Sequence, residues 1–250
     1  MSSRVAEQFG RSAAAYVQSP VHASGPDLTA ISELASKRHF TNALDLGCGG
    51  GHVSFALAPH VARVTAYDLS PEMLQAMSAE AATRGHTNIV ATLGVAERLP
   101  FDSASFDLVV SRFSAHHWQN VPVGLAEARR VLRADGLAIF IDVYAPEDPL
   151  LDTFLQTVEM LRDPSHVRDY SVSQWQQMLK AAGFRPEQPR VRKLATEFTS
   201  WIARMSTPDV LAQAILKLQG EVPDEVRKHF GIMPNGDFEL DAMFLEAVPH

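Results

Sequence analysis

A single cysteine, Cys48, stands in a chain of 250 residues, which leaves no internal disulfide and no multi-cysteine metal site. No apolar run approaches the roughly 18 residues needed to cross a bilayer. The opening MSSRVAEQFGRSAAAY mixes charged and small residues and contains no apolar signal-peptide core. The chain therefore reads as cytoplasmic, with no membrane partner. A basic stripe is missing too. The formal net charge is −7, and Arg129, Arg130 and Arg133 form only a short run, read as facing solvent from a helix. Nucleic acid is not an expected partner. There is no low-complexity tract, no internal repeat and no flexible linker. What remains is a chain long enough to bury one full core and suited to acting on small molecules.

Between residues 41 and 145 short apolar runs alternate with helix-like stretches. The runs predict strands at 43–47, 64–68, 88–94, 106–112 and 136–143. Between them lie HVSFALA, PEMLQAMSAEAATR and VGLAEARRVLRA. In the last, Leu125, Ala128 and Leu132 share one face while Glu127, Arg130 and Arg133 lie outside it. Ser70-Pro71 is a cap followed by proline at the first helical position, and Asp135-Gly136 is a turn signal. Strands alternating with helices predict right-handed crossovers and a parallel sheet covered on both faces, a doubly wound α/β fold. Residues 1–40 read as helical, broken at Pro20 and at Gly25-Pro26. Residues 146–250 predict helices at 149–162 and 173–182, a strand near 189–197, a helical insert and a last strand in FELDAMFLEAV. The three parts read as elaborations of one domain, residues 1–250.

The strongest local signal is ALDLGCGGGHVSFALA, residues 43–58. A strand that ends in glycines and runs straight into a helix brings backbone N–H groups close to a ligand. A dinucleotide fingerprint would need a third glycine, and here that position is His52. The second strand ends in Asp68, an acid placed to accept hydrogen bonds from ribose hydroxyls. Two broad classes of cofactor use such a loop and acid, the dinucleotides being one.

Leu44-Asp45-Leu46-Gly47-Cys48-Gly49-Gly50-Gly51 resembles motif I of class I S-adenosylmethionine-dependent methyltransferases. Asp68-Leu69-Ser70-Pro71-Glu72-Met73-Leu74 is similar to the family segment that holds the ribose. Gly94-Val95-Ala96-Glu97-Arg98-Leu99-Pro100-Phe101 and Phe106-Asp107-Leu108-Val109-Val110 resemble its adenine loop and fourth strand. Together with Arg129–Arg133 before Asp135-Gly136, the likeness covers about residues 41–143 and points to the ubiquinone/menaquinone-biosynthesis type, called type 11. It implies a mostly parallel seven-stranded sheet, an N-terminal helical lid and a C-terminal helical insert. It implies S-adenosyl-L-methionine as cofactor, held by Tyr16, Asp45, Gly47, Cys48, Gly49, Asp68, Leu69, Met73, Val95, Ala96, Glu97 and Ser111. Phe9-Gly10-Arg11 with Tyr16 is similar to the helix that such enzymes fold over the cofactor. One departure stands out: where the family commonly carries an acid after the adenine-loop glycine, this chain has Val95. Cys48 reads as the small residue that the loop requires; a nucleophilic or redox thiol is the other reading.

Ser111 through Pro122 reads SRFSAHHWQNVP, directly after the fourth strand. Ligands of doubly wound sheets bind at the carboxyl ends of the strands near the switch point, so this loop is expected to face the reactive methyl group. A nucleophile that arrives protonated needs a base, and histidine titrates near neutrality. Read as extended, the loop sends His116 and His117 in different directions, with Asp142 after strand five as an orienter. A similar His-His segment in some natural-product O-methyltransferases favours His116 as base. The other reading is that both histidines and Trp118 only pack under the next helix. Adjacent histidines are poor metal-ligand spacing, so no metal is expected. Arg168 and Arg204 are candidates to clamp an acidic group of the substrate, with Trp118 and Trp201 as walls or stacking rings; surface ion pairs and core filling are the alternative. The expected activity is methyl transfer to oxygen or carbon of a small molecule, by a monomer or homodimer. A protein that binds the cofactor as a partner or sensor without transfer is the alternative.

Overall fold

Strand β1 (Asn42–Leu46) lies in the middle of the sheet, and its apolar side chains are sealed on both faces: Ala43, Leu44 and Leu46 expose no surface. The computed structural model describes residues 25–250. Parallel neighbours flank β1, with β2 (Arg63–Asp68) on one side and β4 (Phe106–Arg112) on the other. Beyond β2 lies β3 (Ile89–Leu93), and beyond β4 lies β5 (Leu132–Val143), both parallel. The long strand β8 (Phe238–Pro249) closes the sheet antiparallel to β5. Its outer edge is shared by β6 (Phe184–Pro186) and β7 (Arg190–Thr196). Eight strands thus fill seven positions, and the sheet is the mostly parallel, doubly wound one expected.

Alternation along the strands builds the two faces. Leu108, Val110, Ile139 and Ile141 turn toward α1 (Pro26–Lys37) and α2 (His52–Leu57). Their neighbours Val109, Ala138 and Phe140 turn toward α4 (Val121–Val131) and α6 (Val172–Ala181). Helix α3 (Pro71–Thr83) starts where Ser70 accepts the Met73 N–H at 3.2 Å and Pro71 follows the cap. Helix α5 (Pro149–Arg162) is capped by Asp148, and α6 by a reciprocal Ser171/Gln174 box. Between β7 and β8 come α7 (Phe198–Arg204), α8 (Asp209–Glu221) and α9 (Asp224–His229). They pack their Trp201, Ile215 and Phe230 with Phe154 and Val158 of α5 into a separate apolar cluster.

Three expectations change. The loop after β4 is not extended; Ala115–His117 form one 3₁₀ turn, which brings the two histidine rings together instead of splaying them. The arginine run does not simply face solvent. Arg130 donates to the Leu99 and Phe101 carbonyls and pairs with Glu127, and Arg129 donates to the Gly183 carbonyl. Only Arg133 stands on the exposed face, beside Asp135. Asp135-Gly136 lies inside β5, where the register slips between Phe106 and Leu108 of β4. Tyr16, and the stretch 1–24 of the expected lid, lie outside the described residues.

Candidate active site

The glycine loop follows from its backbone. Gly47 and Gly49 have φ of 77° and 48°, the left-handed region that favours glycine. A side chain at Gly47 would collide with the Ser114 hydroxyl. The N–H groups of Gly47 and Cys48 both reach the Tyr67 carbonyl, at 2.8 and 3.0 Å, which pins the loop to β2. Asp68 then accepts from Gly49 N–H at 2.8 Å on one oxygen and from Ser70 N–H at 2.9 Å on the other. Burial raises its carboxyl above the ordinary range, against the pull of these N–H groups. Asp45 lies one strand earlier and is fully buried. It accepts the Ser54 N–H and hydroxyl at 2.9 and 2.7 Å, clamping α2 to β1, and burial lifts it to about 7. Burial also raises the Cys48 thiol well above its ordinary value, which favours the small-residue reading over a reactive thiolate. The Tyr67 hydroxyl donates to the Val95 carbonyl at 3.1 Å and so holds the 94–97 loop over the strand ends.

Across the same strand ends lies the histidine turn. Phe113, at φ 50°, reverses the chain after β4, and its N–H is held by the Ile141 carbonyl at 2.8 Å. His116 Nδ1 then meets Asp142 Oδ1 at 2.6 Å, and the His116 backbone N–H meets Oδ2 at 3.3 Å. Asp142 is 2% exposed. With Nδ1–H donated to this carboxylate, the neutral ring leaves Nε2 as its acceptor. Burial opposes charge on His116, but the Asp142 carboxylate and its hydrogen bond outweigh it and raise the ring to about 9. His117 behaves oppositely. Its ring lies 4.1 Å from that of His116, tilted by 51°, its Nδ1 donates to the Ser165 carbonyl at 3.2 Å, and burial followed by the His116 charge pushes it down to about 3. The Trp118 indole N–H donates to the Ser114 hydroxyl at 3.1 Å.

One cavity of about 270 Å³ joins the two halves. Gly47, Cys48, Gly49, Asp68, Leu69, Met73, Val95, Ala96 and Glu97 line one side of it, with Asp45 behind the loop. His116, His117, Trp118, Trp201 and Arg204 line the other. Three residues picked from the sequence are placed elsewhere. Ser111 is buried within β4 and Asp142 sits behind His116, both off the cavity wall. Arg168 turns outward to Asp152 at 2.8 Å with its side chain 38% exposed. The structure adds residues that the sequence reading passed over: Asp169, Glu159 and Arg162 from the segments around α5, and Arg112 and Arg192, which share the buried Asp27. Asp169 offered no short-range signal, because it reaches His116 only through the fold. His116, Asp142 and Asp169 present atoms all within 4.8 Å of one another, close enough for a metal ion. Asp142, however, already has both oxygens committed to His116 and to the Val143 N–H. The trio is better suited to holding a proton than a cation.

A glycine-walled strand end and an acid on the next strand, facing a histidine turn on a doubly wound sheet, make up the architecture of a class I methyltransferase. A model of the family described as "Methyltransferase domain" matches residues 44–140. The chain is 41% identical to the uncharacterized protein YafE of Escherichia coli over 80% of its own length and 97% of that protein's. It is 36% identical to the uncharacterized methyltransferase YcgJ of Bacillus subtilis, over 96% of this chain and 95% of YcgJ. The crystal structure of YcgJ superposes with a TM-score of 0.86, covering 90% of this chain and 98% of that one. The demethylmenaquinone methyltransferase of Chlorobaculum tepidum is 35% identical over 43% of each chain. The chain belongs to the type 11 family of class I methyltransferases.

Proposed function

We propose that this protein moves a methyl group from S-adenosyl-L-methionine to an oxygen or carbon nucleophile of a small molecule, with His116 as the base. The observation that carries the reading is one cavity lined by both the glycine loop with Asp68 and His116, with Asp142 held behind the ring. The residues present suit the cofactor. Each Asp68 oxygen accepts one backbone N–H and keeps acceptor capacity for ribose hydroxyls. Gly47 and Gly49 bare their backbone to the amino-acid portion, and the Tyr67-anchored loop at Val95 and Ala96 offers backbone and apolar contact to the adenine. Asp45 acts at one remove, by fixing α2 through Ser54. When bound, the cofactor supplies an electrophilic methyl on a sulfonium.

The chain's own contribution is to align the acceptor and hold its proton. With the Asp142 carboxylate on Nδ1, His116 Nε2 takes that proton and the resulting cation is compensated. A ring raised to about 9 is mostly protonated at neutral pH. A positive sulfonium in the same cavity lowers that value by like-charge repulsion and brings the base into range. Methyl transfer therefore rises with pH on the acid side, and His116→Ala removes that limb. No helix of the described residues is long and apolar enough to cross a membrane. We place the reaction in the cytoplasm, on a small-molecule acceptor, in a monomer or homodimer whose whole chain forms one domain. The deciding experiment incubates the protein with methyl-labelled cofactor and a metabolite extract and looks for labelled products by mass spectrometry. Cofactor binding with no labelled product from any pool would leave a binding partner or sensor instead of an enzyme.

A further inference from the structure

Glu159 lines the cavity and is paired with Arg162; Asp169 also lines it, beside His116, and the scheme above does not use it. It follows the polar loop after α5, and its backbone is held firmly: the N–H donates to Gln156 Oε1 at 3.2 Å, and the carbonyl accepts from Gln156 Nε2 at 2.8 Å. Its side chain lines the cavity and is 2% exposed. Oδ2 has no hydrogen-bond partner among the described residues. His166, the neighbour most able to supply one, gives its Nε2–H to Gln156 at 3.0 Å and stays 3.9 Å from Oδ2. A buried carboxylate with an unanswered oxygen is costly, and the remedy open to it is to keep its proton. The surroundings push the same way. Burial comes first, and Glu159, Asp142 and Asp152 add negative charge; against them stands His116, while Arg162 is engaged with Glu159 at 3.3 Å. His117 and His166 are held neutral by burial and by the His116 charge, so they contribute no cation.

We propose, resting on the methyltransferase reading, that Asp169 touches the acceptor and is a second catalytic residue: its carboxyl group donates a hydrogen bond to the acceptor oxygen on which negative charge gathers when His116 removes a proton. The proton passes from the acceptor to His116 Nε2, the acceptor keeps the electron pair, and the Asp169 hydroxyl steadies the resulting oxyanion; the His116 proton leaves later to solvent. A neutral carboxyl kept in an apolar pocket to hold an oxyanion is an arrangement that proteins use. It selects a substrate class. The acceptors are phenols, enols or carbons made acidic by a neighbouring carbonyl, whose charge resides on oxygen after deprotonation, and not amines.

Two measurements on the full chain test this. Infrared spectra at neutral pH, with S-adenosylhomocysteine present, should show a carboxylic acid band that Asp169→Asn removes; if the variant removes no such band, the proposal fails. Methyl transfer from labelled cofactor to the products formed with a metabolite extract gives the second. Asp169→Asn keeps a neutral donor and should stay within about fivefold of wild type. Asp169→Ala loses the donor and should fall about 100-fold, with cofactor affinity by calorimetry unchanged in both. An Asn variant as poor as Ala would mean that an ionised carboxylate is required, and an Ala variant near wild type would mean that Asp169 does not meet the acceptor; either overturns the proposal. If wild type itself labels nothing, the methyltransferase reading falls, while the infrared band still decides whether Asp169 holds a proton.

Discussion

The two walls of the cavity are built by opposite means. The proposed cofactor wall is largely backbone: Gly47, Gly49 and the loop at Val95 are fixed by short contacts within consecutive strand–loop–helix units, with the Asp68 carboxylate among them. The proposed acceptor wall is side chain: His116, with Asp142 behind it, and Asp169 come from the ends of β4, β5 and the loop beyond α5, and their charges are set by one another. Backbone groups do not titrate, although the Asp45 and Asp68 carboxyls beside them do; the second wall is built of titratable groups that shift one another.

Substitutions should separate the two walls. The largest effect is expected from His116→Ala, which lowers turnover about 10²- to 10⁴-fold and leaves cofactor affinity within about twofold; loss of affinity instead would mean that the walls are not distinct. Asp68→Ala should do the reverse. It removes acceptors for two ribose hydroxyls and weakens cofactor binding by about 2 kcal/mol, roughly 30-fold, read by calorimetry, while turnover at saturating cofactor largely recovers.

A subtler effect belongs to Asp142→Asn. Without the anion, the burial that opposes charge on His116 loses its main counterweight and the ring moves down, so the rising limb of the pH–rate profile moves to lower pH as the maximum rate falls. Stability carries the same signature. His116 has a folded value near 9, above its unfolded value, so the wild type holds this stabilisation below about pH 6.5 and loses it as pH rises through 9. Melting temperature should therefore fall between pH 6.5 and 9 in the wild type and change less in Asp142→Asn; equal slopes would refute the pairing. Arg168→Ala should be nearly silent. Its pair with Asp152 is partly solvent-exposed and contributes at most about 1 kcal/mol, and a large loss of acceptor turnover would return Arg168 to the site.

How legible each wall was in the sequence follows from its construction. Gly47, Asp68 and the Val95–Glu97 loop lie in motifs of a few residues, where spacing alone implies a strand end and a turn, and the five parallel strands stand out by their apolar runs. The β6 stretch escaped because three residues ending in proline carry no period. His116 and Asp142 were readable as neighbours because adjacent parallel strands end side by side. Asp169 was not, since its meeting with His116 depends on how α5 and its following loop fold back. Arg168 misled for the same reason: one position away in the chain, it points to the opposite side.

The His116 carbonyl accepts the N–H groups of both Val167 and Arg168, at 2.8 and 3.2 Å. His116 and the segment that borders the cavity are therefore stitched through the main chain, whatever side chains they carry. Under the proposed scheme the stretch around 163–170 is not an exchangeable cassette in this protein: replacing it replaces the backbone anchor of the proposed base, and a graft that shifts this segment by one residue retunes His116 before any new acceptor has bound.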